Sequence, residues 1–166
     1  RCYHCKHELF GKLRQIAEAE GIPWILDGSN TDDQRDYRPG RRAASEFSVR
    51  SPLAETGLSK QEIRDLAHRM NLPMWDKPSL ACLSSRIPYG TRITPALVKN
   101  IQTAEDVVRS LGIRQVRVRH HGDTARIEVD SEDLIRLLSE DAKRRIVDSF
   151  KALGYAYVCL DLEGYR

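Results

Sequence analysis

Long apolar runs are missing from this sequence. Nowhere in its 166 residues does a stretch approach the roughly 18–20 apolar residues of a membrane span, and its first residues form no charged-then-apolar leader. Membrane and secretory readings are therefore not expected, and a cytoplasmic location is. Aromatic residues are few, at 7%. Charge of one sign does not dominate either: 27 Lys and Arg against 24 Asp and Glu leave +3. A chain this mildly basic is neither a polycation nor an acidic tail, and bulk charge does not mark it as a nucleic-acid binder. Its four cysteines are too sparse for a disulfide-rich secreted scaffold, which leaves metal or redox chemistry in a reducing compartment. Repeats and low-complexity tracts are absent.

What remains is a highly charged globular chain, with 31% Asp, Glu, Lys and Arg, long enough for one well-cored domain or for one domain plus a small second one. It begins at Arg1 with a C-x-x-C, Cys2 and Cys5, and is expected to be the later part of something longer. Helical spacing of Leu9, Leu13, Ile16 and Ala17 ends at Gly21. The run Ile22–Leu26 then reads as a buried strand entering the loop Asp27-Gly28-Ser29-Asn30, the strand end where open α/β sheets bind ligands. Residues 28–58 show little periodicity and read as a long polar connection. Ser59 and Glu62 form a capping box for a helix over 59–70. Prolines then break the chain up to Thr94 and place Cys82 in a loop.

After this loop the pattern changes, which puts a domain boundary near residue 92, with domains 1–92 and 93–166. Thr94 as N-cap and Pro95 at the first helical position open a helix that Gly112 closes. Alternating segments at 114–120 and 124–130 meet at His121-Gly122-Asp123 as a hairpin. A helical region from Ser131 is interrupted near Ser139–Asp141, and Tyr155–Leu162 is a last strand. The order α-β-β-α-β describes a small α+β sandwich.

Three groups of residues could carry chemistry. A short turn between Cys2 and Cys5 lets both sulfurs reach one metal or each other, so zinc, an iron–sulfur cluster and a redox dithiol all stay open. Cys159, inside the last strand, is expected to be a buried inert thiol. With Cys82 this leaves three cysteines, and a three-thiolate site keeps one coordination position free for an exogenous ligand. On the hairpin, Arg117 and Arg119 share one face, as do Arg126 and Glu128. Like charges across strands favour an anionic partner, or else a solvated face on which Glu128 balances one arginine. Glu105, on the preceding helix, either orients such an arginine or is exposed. Asp27, Gly28, Ser29 and Asn30, with Asp32 and Asp33, form a ligand loop for Mg²⁺ or ribose hydroxyls, or a plain turn. Arg38–Arg42 is a phosphate clamp or a solvated loop, and Trp24 and Trp75 are read as core or rim.

Taken in order, Arg1-Cys2-x-x-Cys5-Lys6, Leu26–Asn30, Asp36–Gly40, Val49–Leu53, Trp75–Pro78, Ala81–Gly90, Val116–Arg119 and Ala125–Glu128 resemble the ATP-dependent sacrificial sulfur transferases of the LarE family over nearly the whole chain. The resemblance implies the C-terminal part of an adenine nucleotide alpha hydrolase-like domain, a PP-loop, Rossmann-like parallel-sheet α/β fold, followed by the small α+β domain. Family members use ATP to adenylate the carboxylates of a pyridinium mononucleotide and replace an oxygen of each with sulfur, a step toward the nickel-pincer nucleotide cofactor of lactate racemase. In one branch a cysteine at the position of Cys82 gives up its sulfur. In another, cysteines matching Cys2, Cys5 and Cys82 hold a [4Fe–4S] cluster, and this chain resembles that branch.

The resemblance also implies that Asp27, Gly28, Ser29 and Asn30 contact the nucleotide, with Mg²⁺ as its metal. Glu105, Arg117, Arg119 and Glu128 would lie near the substrate phosphate and the reaction site. A homo-oligomer, trimer or hexamer, is implied as well. An acidic family position is Arg136 here, and its role is not carried over. The family's Ser-Gly-Gly-x-Asp-Ser pyrophosphate loop is nowhere in these residues, so the chain alone is not expected to adenylate. Two alternatives stay open. A cluster-dependent tRNA thiolation enzyme would need a basic groove, for which +3 is scant support. A zinc-stabilised binding domain would use Cys2, Cys5, Cys82 and a nearby histidine such as His4 and would need metal to fold.

Overall fold

Apolar residues early and late in the chain gather into two separate cores. In the computed structural model, which describes residues 1–35, 38–78 and 81–165, the chain divides into two units, Arg1–Lys77 and Pro78–Arg166. Asp36 and Tyr37 of the Asp36–Gly40 motif, and Ser79 and Leu80 ahead of Cys82, lie outside the described residues.

The first unit opens with α1 (Cys2–Ala19). Its buried Phe10 and Ala17 pack with Ile25, Ala43 and Ala44 into a small core. The polar connection after the Asp27 loop contains three short helices: α2 (Thr31–Arg35), α3 (Gly40–Glu46) and α4 (Pro52–Glu55). With four to seven residues each, none is long enough to display an apolar period. α5 (Lys60–Arg69) follows, and Ser59 and Glu62 cap it reciprocally as expected. A Cβ on Gly40 would lie 2.7 Å from Cδ of Lys6, so a larger residue there would displace the Lys6 side chain.

The expected strand over 22–26 is much reduced. Among the described residues of this unit, pairing is confined to one parallel bridge, Leu26 with Arg50. It is closed by Asp27 N–H donating to the Arg50 carbonyl and Arg50 N–H to the Ile25 carbonyl, both at 2.9 Å. Ile22, Trp24 and Leu26 are all exposed, unlike the buried central strand that their apolar run suggests. Trp24 lies on the surface beneath the Arg50 guanidinium, and Trp75 packs against His68 with the rings tilted by 60°.

In the second unit the Cys82 loop ends in a single 3₁₀ turn, Leu83–Arg86. Then come α6 (Pro95–Arg109), β1 (Val116–His121), β2 (Thr124–Val129), a 3₁₀ turn Ser131–Asp133, α7 (Leu134–Leu137), α8 (Glu140–Ala152) and β3 (Tyr157–Leu160). Thr94 caps α6 through the Leu97 N–H. The break before α8 falls where Ser139 caps the new helix through the Ala142 N–H. The sheet is mixed, in the order β1-β2-β3, with β1 and β2 antiparallel and β2 and β3 parallel. Gly122, at φ 65°, makes the hairpin turn, a conformation most residues resist.

Period-2 alternation sends Val116, Val118, Ala125, Ile127 and Val129 to one face, where they pack with Ala104, Val108, Ile146 and Phe150 of α6 and α8. The other face carries Arg117, Arg119, Arg126 and Glu128. The sequence break near residue 92 and the division at Lys77/Pro78 do not coincide. The Cys82 loop belongs with the second unit because a buried ion pair from Arg86 to α6 ties it there. Arg136, the departure from the family pattern, pairs with Asp133 and donates to the Gly112 carbonyl at the end of α6.

Phe150 is fully buried in this core. Phe150→Ala is expected to lower the stability of the second unit by about 3–5 kcal/mol, measured by urea unfolding followed by far-UV circular dichroism.

Candidate functional site

At the C-terminal end of the Leu26 bridge, the Asp27 carboxylate is held by side chains from distant positions. Oδ1 accepts from the Ser51 hydroxyl at 2.6 Å and the Ser29 N–H at 3.1 Å, and Oδ2 accepts from the Ser29 hydroxyl at 2.9 Å. The Lys6 ammonium stands 3.7 Å away. Burial pushes this carboxyl up, but the Ser51 and Ser29 hydrogen bonds and the Lys6 charge outweigh it and hold Asp27 below its ordinary value. Asn30 Oδ1 accepts from the Asp32 and Asp33 N–H groups, and Asp33 accepts in return from the Asn30 N–H, a reciprocal cap on α2. Asp32 accepts from the Lys60 N–H. A cavity of about 240 Å³, with Asp27, Ser29, Asn30, Asp33 and Arg41 in its lining, opens beside this loop. A Cβ placed on Gly28 would meet nothing within 4 Å, so Gly28 is not required by packing in this unit.

Cys2 and Cys5 lie in the first turn of α1, rather than in a free turn, and both are exposed. Three residues apart on a helix, their side chains are neighbours. Cys82 of the second unit is also exposed, with its sulfur 3.1 Å from the Ser84 hydroxyl. These three accessible thiols suit a soft metal or an iron–sulfur cluster by donor chemistry. Among the described residues, no three His, Cys, Asp or Glu side chains gather into a metal site.

Beneath Cys82 lies a buried ion pair. Arg86, 2% exposed, donates from Nε to Glu105 Oε1 at 2.8 Å, and Glu105 is fully buried. The same guanidinium donates from Nη1 to the carbonyls of Ala81 (3.1 Å) and Cys82 (3.3 Å) and to the Ser85 hydroxyl (3.0 Å). Glu105 Oε1 also accepts from the Val118 N–H of β1 at 3.2 Å, and Oε2 accepts from Arg109 at 2.6 Å. Both expectations for Glu105 are corrected: it is not exposed, and the arginines it orients are Arg86 and Arg109, not those of the hairpin.

On the polar sheet face Arg117 is directly opposite Glu128, and Arg119 is opposite Arg126. Glu128 is 3% exposed. It accepts two hydrogen bonds from Arg119, at 2.7 and 3.1 Å, and one from Arg126 at 2.9 Å. Arg119 also donates to the Ser85 carbonyl at 3.3 Å, so this face borders the Cys82 turn. Arg117 stacks on Tyr165 at 4.0 Å, and Arg126 faces Asp161 at 3.4 Å.

Cys159 corrects an expectation. It is exposed, because its pairing with Arg126 turns it to the arginine face while Val158 and Leu160 pack against the core. Sequence reasoning also left Arg86, Arg109 and Ser51 without roles. An arginine in a Pro/Ser-rich loop was the one available signal for Arg86.

Two outcomes are expected from this geometry. Asp27 adds stability that is fully present above its ordinary value and is lost as pH falls through its lowered one. NMR titration of the carboxyl carbon should thus find Asp27 ionising below free Asp, and Ser51→Ala should bring its midpoint upward. Removing Glu105 strands a buried guanidinium, so Glu105→Ala is expected to cost about 3–5 kcal/mol in urea unfolding. Asp106→Ala, at an exposed partner of Arg109, should change stability by less than about 0.5 kcal/mol.

No family model matches the chain. Three curated relatives do. An uncharacterized protein of Synechocystis sp. is 46% identical over 166 residues, 100% of this chain and 62% of its own length. The pyridinium-3,5-bisthiocarboxylic acid mononucleotide synthase of Lactiplantibacillus plantarum is 39% identical over 164 residues, 99% of this chain and 59% of its own length. An uncharacterized protein of Methanocaldococcus jannaschii is 34% identical over 166 residues, 100% of this chain and 64% of its own length. The chain thus spans about six-tenths of the curated relatives it matches. It aligns with them over 99–100% of its own length, which supports the LarE-like family that its motifs resemble.

Proposed function

We propose that the protein acts in ATP-dependent sulfur transfer, converting carboxylates of a pyridinium mononucleotide to thiocarboxylates on the way to the nickel-pincer nucleotide cofactor. The observation that carries this reading is the setting of Cys82: an exposed thiol on a backbone gripped from below by a buried arginine. Similarity to the Lactiplantibacillus plantarum relative, which is named as the synthase of a pyridinium bisthiocarboxylic acid mononucleotide, supports the substrate class.

A carboxylate is a poor electrophile because its leaving group would be oxide. ATP supplies a better one: the carboxylate oxygen attacks the α-phosphorus, pyrophosphate leaves, and an acyl adenylate results. Asp27, Gly28, Ser29 and Asn30 contribute nucleotide contacts, and Mg²⁺ would neutralise the phosphates. The open space at Gly28 and the adjoining cavity support that assignment. A thiolate then attacks the acyl carbon and expels AMP. Where that thiolate is Cys82, the resulting thioester loses its Cα proton and breaks its Cβ–Sγ bond, releasing the thiocarboxylate and leaving dehydroalanine at position 82.

The sulfur is carried by Cys82 itself or by a cluster. Cys2, Cys5 and Cys82 are the residues that would hold a [4Fe–4S] cluster, which would supply sulfur from an exogenous source. Three accessible thiols favour this branch. Arg117 and Arg119 bind the substrate phosphate, Glu128 sets the angle of the Arg119 fork, and Glu105 fixes the turn that presents Cys82. The working protein is a homo-oligomer in the cytoplasm.

Anaerobic reconstitution of the full-length protein, followed by iron, sulfide and zinc analysis and visible absorption, tests the reading. Iron and sulfide that bind to the native protein and are lost in Cys82→Ala, together with loss of ATP-dependent sulfur transfer, are expected. Stoichiometric zinc without iron would remove the cluster. Sulfur transfer that survives Cys82→Ala would remove the function.

A further inference from the structure

We infer that Arg86 is a positioning residue for Cys82: it fixes the thiol-bearing turn to the sheet edge by gripping Glu105 with one nitrogen and the Ala81 and Cys82 carbonyls with another. The inference rests on the proposed sulfur transfer for its catalytic meaning and on geometry alone for its structural content.

Arg86 and Glu105 are both buried, with side chains 2% and 1% exposed. Burying a charge pair in place of two apolar side chains brings no dependable gain in stability. What it provides is direction. Guanidinium is planar, always charged, and presents its donors in a fixed fork. Here Nε is committed to Glu105 Oε1, while Nη1 faces two successive carbonyls and the Ser85 hydroxyl.

Cys82 has little else to order it. It precedes a four-residue 3₁₀ turn, caps nothing through its side chain, and contributes its carbonyl to the Ser85 N–H. Regular secondary structure therefore does not define where this thiol sits. Glu105, in turn, is fixed by the Val118 N–H of β1 and by Arg109 from its own helix. A continuous chain of hydrogen bonds thus runs from β1 through Glu105 and Arg86 to the backbone of Cys82. Arg119 adds a second tie at the Ser85 carbonyl. Such placement matters because a nucleophile displaced by about 1 Å can lose on the order of a hundredfold in rate.

The test uses Arg86→Lys in the full-length protein. Lysine keeps a positive charge beside Glu105, but a single ammonium nitrogen cannot span Glu105 and both carbonyls. Two readouts are taken. Hydrogen exchange at the Ser85 and Ile87 amides, which bond within the turn, should quicken about tenfold while the β1–β2 amides keep their protection. The single-turnover rate constant for sulfur transfer at saturating nucleotide substrate should fall about tenfold or more, with the half-saturating substrate concentration nearly unchanged. Turn amides protected as in the native protein, or a loosened turn with an unchanged single-turnover rate, would overturn the inference. If Arg86→Lys loses sheet protection altogether, Glu105→Gln takes its place. It keeps acceptors for Arg86 and Val118 but weakens the grip, and the same outcomes decide. Should the native protein transfer no sulfur, the proposed function fails, and exchange at the turn decides this inference alone.

Discussion

A carboxylate with no exposure to water, Glu105, is the constraint around which the second unit is organised. It satisfies an N–H on β1, the strand at the end of the sheet order, pairs with Arg109 one helical turn away, and holds Arg86. An isolated ion in that position would be costly by several kcal/mol. Its cost is offset by these partners together, so the helix, the edge strand and the Cys82 turn are held to one another through a single carboxylate. Proline-broken chain between Pro78 and Thr94 thereby acquires a defined end point despite having almost no regular structure of its own.

The first unit uses the same strategy on a smaller scale. Asp27 draws in Ser51, Ser29 and Lys6, residues from three separate segments. The two motifs Leu26–Asn30 and Val49–Leu53 become one feature, joined by the Leu26–Arg50 bridge and the hydrogen bond between Ser51 and Asp27. Gly40 lies against the same cluster, since the Lys6 side chain crosses directly over it. Lys6 follows Cys5 in the sequence, so the helix that carries the paired thiols and the loop beside the cavity are linked by one side chain.

Features that depend on near neighbours in sequence were legible in advance. The Ser59 capping box, the Thr94 cap with Pro95, the break at Ser139 and the two faces of the hairpin all follow from local chemistry or from a period of two or 3.6. Features that depend on distant partners were not. The Arg86–Glu105 and Asp27–Ser51 contacts join residues 19 and 24 positions apart, and no spacing rule signals them. Cys159 misled because strand membership says nothing about which face a residue takes until the register with Arg126 is known. The apolar run Ile22–Leu26 misled for a related reason: hydrophobicity marks a segment able to be buried, and its exposure here depends on what pairs with it.

Glu128 shows why the arginine face cannot be read by counting positive charges. Arg117, Arg119 and Arg126 share that face with Glu128, and Arg126 also faces Asp161, so its net charge is about one positive unit rather than three. That smaller charge comes with better defined geometry. Arg119 spends two donors on Glu128 and a third on the Ser85 carbonyl, so its plane is set before any anion arrives. An anion meeting this face encounters an oriented fork whose ordering cost has been met during folding, which favours selectivity for shape over raw affinity. The arrangement also runs the other way: because Arg119 touches both Glu128 and the Cys82 turn, anything that reorients its guanidinium alters the support beneath the thiol.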